Sequence, residues 1–298
     1  MSNQLVELSG QIADAVAAAS HRAVAIQGAR RHPSSGILWR PDAVVTADHA
    51  LKRDEGLHVL TAEGETLEAT LAGRDPATDL AVLRLPRPLA PFTQSAVSAT
   101  HPPRSGQLIL IVGRSPDSGP QASMGILGAV GGPWRTWRGG KLDAYLRLDA
   151  STYPGTSGSL VIDAEGALIG MATAGLSRNA PVAVPASTVA RVVEALLDRG
   201  RICRGFLGVG LQAVPLPPAF GIPQASALII LTVEPGSPAG EAGLITGDIL
   251  VSLDGQPVTA VDDVLAALEP DRIGRQVAAQ VVRGGQARSF ELRIGERP

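Results

Sequence analysis

The sequence is poor in cysteine, in aromatic residues and in net charge. Of 298 residues only Cys203 is a cysteine, which excludes an internal disulfide and a thiolate metal site. Aromatic residues make up 3%, so we expect a core of Val, Leu, Ile and Ala. The 26 basic and 28 acidic residues nearly cancel, which leaves no strong field to attract nucleic acid or anionic lipid. We therefore expect no metal, no cofactor and no nucleic-acid partner.

Long apolar runs are also missing. No uncharged stretch is long enough to span a bilayer, so no transmembrane segment is expected. The first 20 residues lack the basic start of a secretory leader, and Glu7 and Asp14 interrupt any apolar run there. Apolar residues at helical spacing instead predict an amphipathic helix within residues 1–22. These residues are Leu5, Leu8, Ile12 and Val16. The pattern predicts a cytoplasmic protein.

Short apolar stretches fill the chain after this helix. Segments such as "AVVTA", "LAVLRL" and "LILIVG" last four to eight residues and alternate with clusters of Pro, Gly, Asp and Ser. This pattern is typical of an all-β barrel or sandwich. A helical stripe then ends at Gly200, where we place a domain boundary. We expect one domain over residues 23–200 and a smaller module over residues 204–296.

The stretch "YPGTSGSLVID" (residues 153–163) places Ser157 between glycines, just before an apolar strand. Glycines at Gly155 and Gly158 indicate a backbone bend that side chains would block. A nucleophilic serine needs such a bend, because neighbouring N–H groups must point at the substrate oxygen. Short Gly/Ser clusters are also common in ordinary turns. The stretch alone leaves both interpretations open.

An activated serine needs a general base and a carboxylate that orients it. Among the five histidines, His49 in "AVVTADHAL" follows an apolar strand and opens a turn of small residues. The other four are interpreted as surface residues: His21, His32, His58 and His101. Asp79 in "GRDPATDLAVLRL" precedes a strongly apolar strand, where a carboxylate can be held buried. The alternative is an Asx turn at the start of the strand, which Asp75 could supply equally well.

The order His49, Asp79, Ser157 is that of chymotrypsin, and differs from that of subtilisins and α/β-hydrolases. The segments "VVTADHAL", "GRDPATDLAVLRL", "LDASTYPGTSGSLV" and "GALIGMATA" resemble successive blocks of the HtrA (Deg) family of trypsin-like serine proteases. The resemblance implies that Ser157 is the nucleophile, His49 its base and Asp79 the orienting carboxylate. It also implies an oxyanion hole formed by the N–H groups of Gly155 and Ser157.

The C-terminal module extends the resemblance. "EPGSPAGEAGLITGDILVSLDGQPV" is similar to the signature segment of PDZ domains, and "RGFLGVG" to their carboxylate-binding loop. Backbone N–H groups of Phe206, Leu207, Gly208 and Val209 would then hold the terminal carboxylate of a peptide, which adds a strand to the module. A small β-module without a ligand is the alternative. The expected fold is mostly β: a chymotrypsin/trypsin-like double β-barrel followed by a small α+β PDZ domain.

The resemblance also implies where the substrate side chain binds. The residue six positions before the nucleophile, Ser151, would lie at the base of the pocket, and Met171, Ala172 and Thr173 would form an apolar wall. Without a charge at Ser151, we expect cleavage after small or medium aliphatic residues.

Three departures from the family pattern bear on activity. Ser159 stands where a second glycine is usual, and Asp48 directly precedes the base. Residues 113–116 (Gly-Arg-Ser-Pro) replace the family's turn after "LILIVG". Asp48 could raise the pKa of the imidazole or could face solvent.

Two functions remain open. One is a serine endopeptidase that cleaves unfolded or C-terminally recognised proteins, with the PDZ module tethering substrate or activating the enzyme. The other is a catalytically weak scaffold that binds protein C-termini without turnover. The expected partners are protein or peptide substrates and C-terminal peptides, and the family resemblance allows a homotrimer. Trp134 and Trp137, in "GGPWRTWRGG", are interpreted as a cover over one barrel end rather than as a binding feature.

Overall fold

A computed structural model of the chain describes residues 3–27, 34–89, 102–177, 179–217 and 220–297. His32 and His101 lie outside the described residues. The chain divides into two compact units, Met1–Ile202 and Cys203–Pro298. Each unit has its own hydrophobic core.

The first unit begins with helix α1 (Gln4–Ser20). The Asn3 side chain caps it by accepting a hydrogen bond from the backbone N–H of Leu5 at 3.2 Å. Ile12 and Val16 pack against the core, as their helical spacing predicts, whereas Leu5 remains exposed. Helix α1 is therefore amphipathic, with its C-terminal half packed on the barrels.

Six strands close the first barrel in the order β1-β2-β3-β6-β5-β4. These strands are β1 (Ala23–Gln27), β2 (Ser34–Arg40), β3 (Ala43–Ala47), β4 (Leu57–Leu60), β5 (Thr66–Asp75) and β6 (Leu80–Arg84). All pairs are antiparallel, and the barrel closes where β1 pairs with β4. The turn between β3 and β4 and the turn between β5 and β6 carry two of the predicted site residues, His49 and Asp79.

The second barrel also has six strands, in the order β11-β14-β13-β12-β7-β8. They are β7 (Leu108–Ser115), β8 (Gly119–Gly131), β11 (Tyr145–Ala150), β12 (Leu160–Ile162), β13 (Leu168–Thr173) and β14 (Val182–Pro185). A small hairpin of β9 (Trp134–Arg135) and β10 (Lys141–Leu142) lies between β8 and β11 in the chain. Helix α2 (Ala186–Arg199) follows and ends at Gly200, whose φ of 72° is left-handed.

Aliphatic side chains from strands of both barrels and from α2 pack into one continuous core. Among the described residues, the largest fully buried side chains are all Ile or Leu. This agrees with the low aromatic content of the sequence, since the interior must then be filled by branched aliphatic residues.

The second unit is a six-stranded sheet in the order β16-β17-β18-β20-β21, with β19 paired to β18. These strands are β16 (Val209–Pro215), β17 (Ser226–Val233), β18 (Ile249–Leu253), β19 (Gln256–Pro257), β20 (Gln276–Arg283) and β21 (Gln286–Arg293). A second, two-stranded sheet joins β15 (Gly205–Phe206) to β22 (Gly295–Glu296). Two short helices complete the unit, α3 (Pro238–Glu241) and α4 (Val261–Ala267).

The predicted fold class is confirmed: the chain is mostly β, with two closed six-stranded barrels followed by a small α+β unit. Within the described ranges, no helix has both the length and the apolar character needed to cross a bilayer.

Candidate active site

His49 and Asp79 form a hydrogen-bonded pair between two turns of the first barrel. Nδ1 of His49 lies 2.8 Å from Oδ2 of Asp79, and the backbone N–H of His49 donates to Oδ1 at 2.9 Å. A carboxylate can only accept hydrogen bonds, so Nδ1 of His49 carries a proton. In the neutral imidazole Nε2 therefore keeps its lone pair. Thr173 donates its hydroxyl to Oδ2 of the same carboxylate. Asp79 is only 3% exposed, and these three donors replace the water that it has lost.

Two aspartates share the turn before β6, and the structure gives them different roles. Asp75 forms the Asx turn: Oδ1 accepts from the N–H of Ala77 at 3.2 Å, and Oδ2 accepts from the Thr78 hydroxyl at 2.7 Å. Asp79 instead has a φ of 58°, in the left-handed region that aspartate tolerates better than most residues. Its side chain therefore contacts His49 rather than its own turn.

Ser157 lies in a loop that begins with a type II turn. The N–H of Thr156 donates to the carbonyl of Tyr153 at 3.0 Å, with Pro154 and Gly155 at the two central positions. Gly155 has the φ of 93° that a type II turn requires at this position. The carbonyls of Gly155 and Ser157 both accept from the N–H of Ser35, at 3.0 and 3.2 Å. This anchors the loop to β2 of the first barrel.

The N–H groups of Gly155 and Ser157 have no hydrogen-bond acceptor within the described residues. Both residues line one cavity together with His49, and an oxygen placed there could accept from the two free donors. Gly158 allows the loop to sit this close to β2, because a Cβ there would lie 1.9 Å from the carbonyl oxygen of Ser35.

The Ser157 hydroxyl accepts from the N–H of Ala174 at 3.3 Å, and in the described structure no hydrogen bond joins it to His49. The structure thus brings base and serine to the walls of one cavity, while the proton-transfer contact is not made. Catalytic hydrogen bonds are often long in ligand-free sites and tighten when substrate binds.

The cavity measures about 240 Å³ and, His49 apart, its lining residues include no Lys, Arg, Asp or Glu. Its lining comprises Ser34, His49, Ala50, Thr152, Tyr153, Pro154, Gly155, Thr156, Ser157, Ala172, Thr173, Ala174 and Pro181. Ala172 and Thr173 line this cavity, and their role in binding the substrate side chain stays a prediction. The other two predicted pocket residues do not line it.

Met171 is 0% exposed and packs in the aliphatic core, and the prediction that it lines the pocket is wrong. It lies in mid-sheet, flanked by Leu160 and Val184 on the neighbouring strands. Ser151 is exposed and is not among the cavity residues; its carbonyl accepts from the Ser123 hydroxyl at 2.7 Å. Thr152, the next residue, lines the cavity instead.

The structure shows the environment of the three departures from the family pattern, which are Asp48, Ser159 and residues 113–116. Asp48 does not face solvent: it is 8% exposed and lies 3.4 Å from Nε of Arg74. Ser159 is fully buried beside Gly113, where an added Cβ would lie 2.3 Å from its hydroxyl oxygen. The expected turn at 113–116 is largely strand, because β7 continues through Ser115 and pairs with β8 up to Gly119.

Sequence reasoning missed two contributions. The sequence places Thr173 in the pocket wall, yet its hydroxyl also donates a hydrogen bond to Asp79. Gly175 was not singled out, although a Cβ there would lie 2.5 Å from both His49 Nδ1 and Asp79 Oδ2. The single glycine after the strand "GMATA" is the only signal the sequence offers for it.

The residues predicted to bind a peptide lie at one edge of the sheet in the second unit. Among the described strands β16 pairs only with β17, so its other edge is open to an added strand. The preceding loop is fixed through its carbonyls: Leu207 accepts from the N–H of Ala239 at 3.0 Å, and Gly208 from that of Glu234 at 2.8 Å. The N–H groups of Leu207 and Gly208 have no acceptor in the described part of the chain.

Comparison with known proteins identifies two domains in the chain and relatives of the HtrA type. Residues 34–171 match the trypsin-like peptidase domain, and residues 205–294 match the PDZ domain. A probable periplasmic serine endoprotease DegP-like of Rhizobium meliloti is 30% identical over 276 residues, covering 90% of this chain and 54% of the relative. The chain is similar to the HtrA (Deg) serine endoproteases and has their pairing of a trypsin-like peptidase domain with a PDZ domain. The recognition made from the four sequence blocks and the PDZ signature is confirmed.

Two further HtrA-type proteins extend the comparison. The periplasmic pH-dependent serine endoprotease DegQ of Escherichia coli is 28% identical over 258 residues, which are 84% of this chain and 56% of that protein. The solved HtrA-type protease AlgW with tripeptide has a TM-score of 0.78 at 25% identity, covering 96% of this chain and 97% of the other. The chain spans about half the length of the curated relatives it matches.

The prediction of a cytoplasmic location is wrong. The DegP-like protein and DegQ are both named periplasmic endoproteases, which points to the periplasm.

Proposed function

We propose that this chain is a serine endopeptidase that cleaves proteins through an acyl-enzyme. Ser157 is the nucleophile, His49 the general base and Asp79 the carboxylate that fixes the imidazole tautomer. The observation that carries the proposal is the cavity that His49 and Ser157 share, with the Nδ1 proton of His49 held by Asp79 at 2.8 Å.

The chemistry follows from these positions. Oγ of Ser157 adds to the scissile carbonyl while its proton moves to Nε2 of His49. The free N–H groups of Gly155 and Ser157 stabilise the resulting oxyanion. His49 then returns the proton to the leaving amine, and water, deprotonated by the same imidazole, hydrolyses the acyl-enzyme.

We assign residues 1–22 to the N-terminal helix, 23–200 to the protease domain and 204–296 to the PDZ domain. The break between Ile202 and Cys203 and the matched ranges 34–171 and 205–294 support these boundaries.

The PDZ module binds peptide C-termini along the free edge of β16, with Phe206, Leu207, Gly208 and Val209 at the carboxylate. The solved HtrA-type structure with a tripeptide supports peptide binding. Unfolded proteins in the periplasm are the substrates we propose, and a homotrimer is the proposed assembly.

Labelling by a fluorophosphonate tests the nucleophile. The reagent reacts with an activated serine and ignores an ordinary one, so mass spectrometry should locate the adduct on Ser157. Ser151→Ala, which changes an exposed serine nearby, should label like the wild type. Absence of labelling in the wild type, with intact peptide binding, would indicate the non-catalytic scaffold instead.

A further inference from the structure

A second, larger cavity adjoins the Ser157 cavity and is not used by the chemistry described above. It measures about 970 Å³ and shares three wall residues with the first cavity, Thr152, Ala174 and Pro181. Beyond them its walls include Leu176 and Trp137. We call it the Trp137 groove.

Trp137 lies at the tip of the β9–β10 hairpin, and this hairpin is anchored. The buried Thr136 hydroxyl donates to the carbonyl of Ala77 at 2.7 Å, and Gly140 packs so closely that a Cβ would lie 2.2 Å from the same oxygen. Trp134 packs edge-on against Tyr145 at 5.6 Å and donates its indole N–H to the carbonyl of Ala144. The hairpin base is therefore fixed, and Trp134 is the tryptophan that covers the barrel.

Trp137 itself is not used to cover the barrel. It is 75% exposed, and the Arg138 guanidinium lies 4.5 Å from the ring centroid, where it steadies the ring by a cation–π contact. An indole held on an anchored hairpin beside a groove presents a large apolar surface at low conformational cost. Such a surface gains free energy when an apolar side chain covers it.

The direction of a bound substrate follows from proton transfer. His49 must give its proton to the leaving amine, so the part of the substrate after the scissile bond lies on the His49 side. His49 and Ser34 line only the first cavity, whereas the Trp137 groove continues from Ala174 without them. The groove therefore lies along the part of the substrate that precedes the scissile bond.

Resting on the proposed peptidase function, we propose that the Trp137 groove is a specificity subsite for a large apolar side chain. In an extended peptide, alternate side chains share a face and are about 7 Å apart. The residue in the Ser157 cavity is the first before the scissile bond, so the third residue reaches the groove. Trp137 then selects Leu or Phe at that third position over Gly or Asp.

The test uses two fluorogenic peptides that differ only at this third position, one with Leu and one with Gly. For the full-length protein we expect kcat/KM to favour Leu by about tenfold or more, the range that a single apolar contact supports. Trp137→Ala should bring the ratio near one by raising KM for the Leu peptide and should leave cleavage of the Gly peptide unchanged. Trp137→Phe should keep most of the preference.

Ile245→Ala, which removes a half-exposed apolar side chain from the second unit, is the matched control and should keep the wild-type ratio. Equal cleavage of both peptides by the wild type, or an unchanged preference in Trp137→Ala, would overturn the subsite while leaving the peptidase in place. Failure to cleave either peptide would overturn the proposed peptidase function, and the subsite with it.

Discussion

Oδ1 of Asp48 lies 3.4 Å from Nε of Arg74, so the carboxylate that precedes His49 in the chain has a cation of its own. Arg74 also contacts the exposed Asp54 at 2.9 Å. Burial raises the pKa of Asp48 above its ordinary value, and the charge of Arg74 opposes that rise.

The raised pKa of Asp48 predicts a pH-dependent stability. The native state holds this proton more tightly than the unfolded state, whose carboxyl titrates near pH 4. The stability that Asp48 contributes is therefore full below about pH 4 and declines as pH rises through its raised pKa. Urea unfolding from pH 4 to 7 should show the wild type losing stability relative to Asp48→Asn. Asp54→Asn is the control for a change around Arg74, and a pH-independent difference for Asp48→Asn would refute the assignment.

Gly175 is predicted to be essential for activity although it has no side chain. Its substitution by alanine places a Cβ 2.5 Å from both His49 Nδ1 and Asp79 Oδ2, so the imidazole must move. A displacement of about 1 Å at a catalytic group can cost on the order of 100-fold in rate. We expect kcat of Gly175→Ala to fall by about that factor with an unchanged melting temperature. Gly132→Ala, where nothing lies within 4 Å, should be fully active; full activity of Gly175→Ala would contradict the geometry.

The uncharged cavity predicts the residue before the scissile bond. No Lys, Arg, Asp or Glu lines it, so a Lys, Arg or Glu side chain of the substrate would be buried there without a partner of opposite charge. Ala172 and Pro181 instead offer apolar contact to a small or medium aliphatic side chain. A peptide-library profile should therefore be dominated by residues such as Ala and Val. A profile dominated by basic residues or by Glu would refute this.

The PDZ loop predicts both binding and activation. In Gly208→Ala the new Cβ would lie 2.1 Å from Cβ of Ser237, at a φ of 76° that alanine disfavours. We expect this variant to bind a peptide with an apolar C-terminus at least about tenfold more weakly, since the free N–H of Gly208 is displaced from the carboxylate. The same peptide should raise wild-type turnover of a small reporter several-fold, as far as its differential affinity for the active arrangement allows.

An amidated peptide is the matched control for this experiment, because it lacks the carboxylate and should neither bind nor activate. Isothermal titration calorimetry measures the binding, and reporter hydrolysis measures the turnover. If the free-acid peptide binds but turnover stays constant, the PDZ module only tethers its ligand.

Local sequence signals predicted much of the fold. Short apolar stretches became strands, and the left-handed Gly200 ended α2 where expected. Barrel closure could not be predicted in this way, because β1 pairs with β4 and β7 with β12 through register that no local pattern encodes. The position of Met171 was missed for the same reason, since its burial depends on the strands beside it.

The candidate site was partly visible in the sequence. The chain order and the placement of glycines predict His49, Asp79 and Ser157 as site residues. In the structure His49 and Ser157 line the same cavity. The sequence does not show which of the two tryptophans is packed and which is exposed, because this depends on the contact of Trp134 with Tyr145. The sequence also does not show whether Asp48 is buried, since the cation that pairs with it, Arg74, comes from a different segment of the chain.

The most direct test of the account is proteolysis of unfolded casein by the purified full-length Ser157→Ala protein. We predict that this variant keeps the wild-type circular dichroism and melting temperature but loses activity by a factor on the order of 10⁴ to 10⁶ in kcat, with His49→Ala falling by a similar factor because the triad acts as a unit. Undiminished casein cleavage by Ser157→Ala would contradict the assignment of Ser157 as the nucleophile.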